Sequence, residues 1–331
     1  MIPHSRALLA VAAAIIVGAV AALAQQAPAR PPQPNFDAVV MQAFKVKPNV
    51  WMIAGAGGNT TIQVGDQGVL VVDTQFAQVA DKLVAEINRI SGNEPIRYVV
   101  NTHVHPDHVG GNERFRRAGN SIVSGNVAQD LQGNNGAEIF AHENVLFRLV
   151  KPAGDAPAPP AAALPTDTFF GGREEMSFNG EAVELLHQPA AHTDGDVMVF
   201  FRRSDVIATG DVYINTGYPL IDLAQGGTIN GIVAGLNHII EITVPYDKQE
   251  RGTMVIPGHG RIGDEADVVE YRDMITIIRD RIQEMIKKGM TLQQVKAAAP
   301  ASDYDGRYGA TSGFWTTDMF VEAAYRTLGG K

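Results

Sequence analysis

The absence of cysteine is the feature that most restricts this chain, because none occurs among its 331 residues. The fold must therefore hold together without disulfide bonds, and no thiolate can act as a nucleophile or as a metal ligand. A lipid anchor attached to cysteine is excluded as well. Any metal site in this protein must be built from imidazole and carboxylate groups.

Composition indicates a globular protein that does not bind nucleic acid. Apolar residues make up 45% of the chain, which excludes disordered and collagen-like architectures. The formal net charge is −9, whereas a nucleic-acid-binding protein needs clustered Lys and Arg. We therefore expect a small molecule as the binding partner.

The first 24 residues are typical of an export signal. Arg6 gives a weakly basic start, and residues 7–24 are an unbroken run of small and apolar side chains that ends in Ala-Leu-Ala, a pattern that signal peptidase cleaves. The alternative is an uncleaved membrane anchor. We predict a signal peptide over residues 1–24, a flexible lead-in over residues 25–35, and a periplasmic or secreted protein without a stable membrane anchor.

From residue 36 onward, strand-like and helix-like patterns alternate. The proline-rich residues 151–165 predict a semi-rigid connector between two halves. We expect one main domain over residues 36–290 and a C-terminal helical extension over residues 291–331, where Thr291 and Gln294 match a capping box.

The predicted elements follow hydrophobic periodicity and turn residues. Strands are expected at residues 49–53, 60–64, 68–73, 96–101, 121–123, 181–186, 197–201, 206–209 and 253–256. Helices are expected at residues 78–89, 111–117, 264–288 and 320–328, and one short helix is expected to begin after residue 291.

A dense run of histidines follows one of these strands. Residues two apart in an extended segment point to the same side, so His103 and His105 can contact one cation from one direction. Pro106 turns the chain, which lets Asp107 and His108 address a second position. This combination of residue types and spacing predicts a metal site rather than a structural role.

Three further candidates follow strands in the second half of the chain. His192 lies in a turn after a strand, Asp211 follows another, and His259 lies in a Pro-Gly-His-Gly sequence after a third. Open sheets place ligand sites at the carboxyl ends of their strands, so we expect these residues to join the first cluster. Five histidines and two aspartates suit zinc, although iron and manganese accept the same donors.

The remaining histidines are expected to have ordinary roles. His142 lies in residues 137–150, which we predict to be helical. We expect its side chain to cap or pack against this helix, with metal ligation as the minority alternative. His187 and His238 are expected to pack within a strand and a helix, and His4 belongs to the export signal.

The order of these motifs, with Asp73 at the end of an early strand, resembles the metallo-β-lactamase superfamily over residues 39–286. The resemblance implies an α+β fold, an αββα sandwich with the metals at one edge between its halves. It also implies two metal positions that share one aspartate. The first would be held by His103, His105 and His192, the second by Asp107, His108 and His259, and Asp211 would bridge them.

The resemblance further implies that Asp107 orients the attacking hydroxide and later moves a proton. The largest group of β-lactamases of this fold has a cysteine where Asp211 stands and a lysine three residues later, where this chain has Ile214. A bridging aspartate is similar to thioesterases and lactonases of the fold. However, residues 290–331 lack the clear basic character of the glutathione thioesterases. Lactones, thioesters and β-lactams all stay open as substrates.

Two segments are candidates for substrate contacts. Tyr213, Asn215 and Tyr218 follow the bridging aspartate, and they either line the cleft or pack within their loop. Residues 55–59 form either a short flap over the site or a plain hairpin turn.

The resulting prediction is an exported dinuclear zinc hydrolase that attacks a carbonyl substrate with a metal-bound hydroxide. One alternative is an iron-dependent oxidoreductase of the same fold, similar to the persulfide dioxygenases. The flavodiiron type is disfavoured because it carries a glutamate where this chain has His105. The other alternative is a non-catalytic periplasmic metal-binding protein. The oligomeric state is not predicted.

Overall fold

A computed structural model describes residues 35–121, 136–151, 158–250 and 252–330. The signal peptide expected at residues 1–24 lies outside this part of the chain. The same is true of nearly all of the lead-in, most of the strand expected at residues 121–123 and part of the connector. Within the described residues, no helix combines the length and the apolar character needed to cross a membrane.

Within the described residues, seven strands form the first sheet, in chain order. They are β1 (Gln42–Lys47), β2 (Val50–Ala54), β3 (Thr60–Gly65), β4 (Gly68–Val72), β5 (Ile96–Val100), β6 (Glu138–His142) and β7 (Asp167–Phe169). The first four are antiparallel and form the expected meander, whereas β4 to β7 run parallel. Parallel neighbours need crossover segments, which here carry helices.

In the part of the chain that the structure describes, five strands form the second sheet. They are β8 (Arg173–Phe178), β9 (Glu181–Gln188), β10 (Asp196–Phe201), β11 (Val206–Ala208) and β12 (Met254–Ile256). The pairs from β8 to β11 are antiparallel, and β11 and β12 are parallel. The exposed charges of Arg173 and Glu174 on the edge strand β8 discourage pairing with other chains.

Helices cover the outer faces of the two sheets and complete the fold. They are α1 (Ala80–Ser91), α2 (Pro106–Val109), α3 (Asn112–Ala118), α4 (Glu143–Val150), α5 (Ile229–Ile242), α6 (Glu265–Lys287), α7 (Leu292–Ala297), α8 (Asp305–Tyr308) and α9 (Thr317–Thr327). The capping box expected at Thr291 and Gln294 is formed in both directions.

Side-chain alternation along the central strands explains the layering. Leu70 and Val72 of β4 belong to the apolar core shared with the second sheet, while Val69 and Val71 pack with α1 and α3 on the outer face. Burial of each such side chain stabilises the fold by about 1.5–3 kcal/mol. β4 is buried along its whole length because both of its faces are covered.

A second outer layer packs against the other sheet. Leu236 of α5, Ile275 of α6 and Phe320 of α9 share one core with residues of β10 and β11 such as Phe200 and Ile207. The helices after residue 291 therefore pack into the same core as the main domain. The αββα sandwich expected from the resemblance is confirmed.

The prediction of a helix throughout residues 137–150 was wrong in its first part, which forms β6. Ile139 and Ala141 are fully buried there, and the backbone pairs in parallel with β5 and β7. Tertiary pairing overrides local helix propensity in such a segment. A helix around His238 was expected and is present as α5, but its bounds were not predicted, because its glycines and β-branched residues weaken the local helix signal.

The chain changes from the first sheet to the second later than the proline-rich connector suggests. β7 follows the connector and still pairs with β6, with Ala141 opposite Thr168. The change of sheet falls between β7 and β8, at residues 170–172. The connector, together with α4, thus belongs to the crossover within the first sheet.

Candidate metal centre

Parallel strand pairs bring the predicted site residues to one edge of the sandwich. In the first sheet, Val72 of β4 lies opposite Val100 of β5, so Asp73 and the histidine run leave the sheet side by side. In the second sheet, Ala208 lies opposite Ile256, so the segments that carry Asp211 and His259 also leave together. The carboxyl ends of neighbouring parallel strands share an edge, and the site is assembled there.

A first group of potential ligands consists of three imidazoles and one carboxylate. One ligand atom from each of His103, His105, His192 and Asp211 lies within 4.8 Å of the others. Nε2 of His192 lies 2.8 Å from Nδ1 of His105 and 3.7 Å from Oδ2 of Asp211, and Nε2 of His103 lies 4.0 Å from the same oxygen. This spacing is compatible with one cation held between the four groups.

A second group lies directly beside the first. Asp107, His108 and His259 also bring one ligand atom each within 4.8 Å of one another. Asp211 faces this group as well, because its Oδ1 lies 3.3 Å from Nε2 of His108 and its Oδ2 lies 3.4 Å from Nε2 of His259. All seven predicted ligands therefore converge, with the Asp211 carboxylate between the two groups.

An observation that is independent of the sequence motif supports the fit of these donors to divalent metal ions. Nε2 of His103 and Oδ1 of Asp211 are buried and have no hydrogen-bond partner among the described residues, and the 3.3 Å approach of Nε2 of His108 to Oδ1 of Asp211 is a close contact only. An unsatisfied buried polar atom costs about 1–3 kcal/mol. Metal coordination would satisfy both atoms, and nitrogen and oxygen donors in this combination suit zinc.

The two groups differ in their affinity for protons. Burial and the neighbouring imidazoles lower the pKa of His103 well below its ordinary value, and burial lowers the pKa of His192 to about 4. Burial also opposes the charge of His108 and His259. The nearby carboxylates outweigh it, so the pKa of His108 rises well above its ordinary value and the pKa of His259 rises to about 9. Metal binding at the second group must therefore displace protons.

Hydrogen bonds on the outer side of the imidazoles hold the rings in place. Nε2 of His105 lies 2.8 Å from a carboxylate oxygen of Asp222, and Nδ1 of His192 lies 2.7 Å from the Leu220 carbonyl oxygen. Nδ1 of His108 lies 2.7 Å from Oδ2 of Asp73. Such partners select the tautomer and orient the ring toward the metal. Sequence reasoning missed Asp222 and Leu220, because nothing nearby in the chain links them to the histidines.

Asp73 supports the site in a second way. It has a positive φ of 64°, and its carboxylate accepts hydrogen bonds from the backbone N–H and the hydroxyl of Thr102 at 2.8 and 2.6 Å. The Thr102 hydroxyl in turn lies 3.0 Å from Nδ1 of His103. One buried carboxylate thereby positions both His103 and His108. The sequence signal for Asp73 was its place at the end of an early strand.

Residues 55–59 form a packed turn rather than a flap. A Cβ atom placed on Gly58 would lie 2.2 Å from the His108 ring, so only glycine allows this close approach. The Asn59 side chain donates hydrogen bonds to the carbonyl oxygens of Pro257 and Gly260 at 2.9 and 3.0 Å. The turn therefore braces the loop that carries His259.

The tyrosines and the asparagine after Asp211 mostly pack within the fold. Tyr213 is 1% exposed and contacts the Tyr271 ring edge-on, while Asn215 exchanges hydrogen bonds with the Arg261 backbone. Tyr218 is buried too, although it also lines the cleft described below.

The other histidines lie outside the cluster. His142 caps α4 and stacks on His187 with a centroid distance of 3.6 Å, and His238 interacts with the side chain of Gln188. Their expected packing and capping roles are confirmed. His4 lies outside the described residues.

A cleft of about 990 Å³ opens onto the converging residues. His105, Asp107, Asp211 and His259 line one part of it, and the side chains around the rest are mainly apolar. No Lys or Arg occurs among the described residues that line it. The apolar part of its lining includes Phe76, Ile214, Leu220, Ile221, Leu223, Phe314, Trp315 and Met319.

Similarity to known proteins agrees with this geometry. A family model described as the metallo-beta-lactamase superfamily matches residues 54–262, well over half of the chain. A linear primary-alkylsulfatase from Pseudomonas sp. (strain ATCC 19151) is 22% identical over 264 residues, which cover 68% of this chain and 46% of the relative.

Solved structures show the same fold. A sec-alkylsulfatase from Pseudomonas sp. superposes with a TM-score of 0.63 at 16% identity, covering 87% of this chain and 50% of the other. A metallo-beta-lactamase from Pontibacter korlensis superposes with a TM-score of 0.54 at 16% identity, covering 72% of this chain and 99% of the other. The chain spans about half the length of the alkylsulfatases it matches.

Proposed function

The chain belongs to the metallo-β-lactamase superfamily, and from this membership we propose that it is a hydrolase that binds two zinc ions and cleaves an uncharged carbonyl compound. The position of the Asp211 carboxylate carries this proposal. It lies within 4.0 Å of imidazole nitrogens from both ligand groups, those of His103 and His192 on one side and those of His108 and His259 on the other. A carboxylate in this position can bridge two adjacent cations.

Two zinc ions fit the donors, with iron or manganese as the other metals that accept them. His103, His105 and His192 would hold the first ion, Asp107, His108 and His259 would hold the second, and Asp211 would contact both. Zinc bound there would supply Lewis acidity toward a carbonyl oxygen and a strong nucleophile from water at neutral pH. The convergence of all seven residues supports a dinuclear site over a mononuclear iron site, which would leave some of them unused.

Asp107 is the residue that we expect to move a proton. It lines the cleft, and its Oδ2 lies 3.3 Å from Nε2 of His259. Burial opposes its charge, but the hydrogen bond from His259 and the charges of His108 and His259 together outweigh burial and lower its pKa. An ionised carboxylate at this position can orient an attacking water molecule, accept its proton and later return that proton to the leaving group.

The charge of the cleft supports an uncharged substrate. Ile214 is 9% exposed and lines the cleft at the position where the resemblance places a lysine in many β-lactamases. Among the described lining residues there is no Lys or Arg that could pair with a substrate carboxylate, and the lining imidazoles of His105 and His259 belong to the two ligand groups. Lactones and thioesters, as well as simple esters, therefore suit the cleft better than a β-lactam acid.

A sulfate ester is a second candidate substrate, because alkylsulfatases are among the relatives. Its anionic group would favour a Lys or Arg side chain near the metals, and neither lies among the described lining residues. For this reason the carbonyl compound is the first proposal and the sulfate ester the second.

Export is the other part of the proposal. Residues 1–24 have the charge, apolar run and Ala-Leu-Ala end of a cleavable signal, which supports a periplasmic or secreted enzyme. Expression with the native N-terminus, followed by cell fractionation and N-terminal sequencing, tests this point. A mature chain that begins at Gln25 in the periplasm is expected, and an intact N-terminus in the membrane fraction would contradict it.

Metal analysis combined with a substrate panel tests the hydrolase proposal. Purified protein is expected to hold two zinc ions per chain and to hydrolyse a lactone, a thioester or an aryl ester, with activity lost on chelation and restored by zinc. The panel should include nitrocefin, a phosphoester and an alkyl sulfate. One tightly bound iron with oxygen consumption would favour the oxidoreductase alternative, and metal binding without turnover of any substrate would favour the non-catalytic one.

A further inference from the structure

The segment between α8 and α9 presents apolar side chains to the cleft. Phe314, Trp315 and Met319 line it, and we refer to these three residues as the C-terminal wall. Phe314 is 79% exposed and Met319 is 43% exposed, as is Leu223, which also lines the cleft. Apolar surface is thus left open to solvent in the same cavity that contains the converging metal residues.

Helices α8 and α9, which flank Phe314 and Trp315 in the chain, are fixed to each other and to Tyr218. The Tyr218 ring stacks on Phe320 of α9, with a centroid distance of 4.7 Å and an interplanar angle of 8°. The Tyr218 hydroxyl donates to Oδ1 of Asp305 at 2.9 Å, and Thr317 donates to the same carboxylate oxygen at 3.3 Å. An apolar binding surface that is formed in advance loses less entropy when a ligand binds.

The charges around the cleft indicate which end of a ligand can lie there. The acidic groups that line it are Asp107, Asp211, Asp222 and Glu322, and Glu322 pairs with Lys296 and Arg326. A ligand with an anionic tail would meet carboxylates and no Lys or Arg among the described lining residues. An uncharged alkyl or acyl chain is not repelled by these carboxylates, and the transfer of its apolar surface out of water is favourable.

We propose that the C-terminal wall binds the apolar chain of the substrate and that the enzyme prefers esters or lactones with a medium-length chain. This inference rests on the proposed hydrolase function. The carbonyl end would lie beside Asp107, Asp211 and His259, and the chain would extend along Phe314, Trp315 and Met319. The cleft volume of about 990 Å³ is ample for such a molecule.

A chain-length series tests the proposal on the zinc-loaded full-length protein. For p-nitrophenyl acetate, butyrate and octanoate, kcat/KM is expected to rise by about threefold to fourfold per buried methylene group. Phe314→Ala is expected to reduce kcat/KM for the octanoate by about tenfold, mainly through KM, and to change the acetate value by less than about twofold. A flat series in the native protein would overturn the proposal.

The chain offers a matched control for this variant. Phe170 is also 79% exposed but does not line the cleft. Phe170→Ala is expected to leave the whole series unchanged. Equal losses in the two variants would overturn the assignment to the C-terminal wall. A dimer that Phe314→Ala abolishes would also overturn it, because the wall would then face a second copy of the chain.

A binding measurement separates this inference from the hydrolase proposal. The chain has two tryptophans, and Trp51→Phe leaves Trp315 as the single reporter. The uncharged ketone 2-undecanone is expected to change Trp315 fluorescence saturably, whereas 2-butanone is not, and Phe314→Ala is expected to weaken the binding about tenfold. Binding without ester hydrolysis would support the C-terminal wall and contradict the proposed function. Hydrolysis with no Trp315 response would contradict the wall alone.

Discussion

The imidazole of His105 and the carboxylate of Asp222 lie 2.8 Å apart, although 117 positions separate them in the chain. The same carboxylate caps a short turn through the backbone N–H groups of Ala224 and Gln225. Asp222 also donates its own backbone N–H to the His192 carbonyl oxygen at 3.0 Å. One residue thus connects two histidines of the first ligand group to the loop that borders the cleft.

Replacement of Asp222 by Asn tests its role as a positioning residue. Asn still caps the turn, so the loop is expected to persist while the charged partner of His105 is lost. Removal of such an outer partner is expected to weaken metal affinity by about 10-fold to 100-fold. Zinc titration against a competing chelator measures this change. Asp194→Asn is the control, because its carboxylate pairs with Arg148 and not with a predicted ligand; an equal loss there would contradict the assignment.

Asp107→Ala is expected to abolish turnover while the protein stays folded. Loss of the proton-moving carboxylate should reduce kcat by at least about 100-fold, and the partial exposure of the side chain makes a large loss of stability unexpected. Steady-state kinetics at saturating zinc and urea unfolding measure the two effects. Asp66→Ala, at an exposed turn, should match the native protein in both. Native-like kcat in the Asp107 variant would refute its role.

Gly258→Ala is expected to disturb both metal positions by displacing Asp211. A Cβ atom at residue 258 would lie 1.9 Å from Oδ1 of Asp211 and 2.6 Å from the carbonyl carbon of Gly210, so the shared carboxylate must move. Overpacking of this kind costs about 1–3 kcal/mol of stability. Metal content and the free energy of unfolding measure the effect. Gly172→Ala meets nothing within 4 Å and should be neutral; full zinc content in the Gly258 variant would show that Asp211 is not shared.

Buried His142, which stacks on the half-buried His187, makes stability depend on pH away from the metal residues. Burial, and then the neighbouring His187, lower the pKa of His142 from 6.5 to about 4. The unfolded chain takes up a proton near pH 6.5, whereas the folded protein does so only near pH 4. Stability from this group is therefore complete above pH 6.5 and is lost as pH falls from 6.5 toward 4.

His142→Asn tests this titration. Asn keeps the cap of α4 and removes the titrating ring, so the variant is expected to lose less stability than the native protein between pH 7 and pH 4.5. Urea unfolding of both metal-free proteins at the two pH values measures the difference, because the candidate metal residues are the same in both. Identical pH dependence would contradict the lowered pKa.

Much of the fold and most of the site followed from local patterns. Alternation and glycine turns predicted β2 to β4, and four-residue spacing predicted α1 and α6, because the side chains of these segments face one core in a regular way. The histidine run, Asp211 and His259 were recognisable because each directly follows a strand, and their predicted positions do converge. The segment that forms β6 was predicted to be helical, since pairing with two parallel neighbours leaves no local signature.

The sequence by itself determined the chemistry available to this protein. Without cysteine, its candidate metal site consists of nitrogen and oxygen donors, and the order of those donors along the chain indicates the family. Only the tertiary structure decided which residues surround them. Asp222 reaches His105, Leu220 reaches His192, and the C-terminal wall borders the cleft because distant segments pack against one another. Contacts across more than a hundred residues depend on how sheets and helices stack, and no local pattern of side chains encodes that stacking.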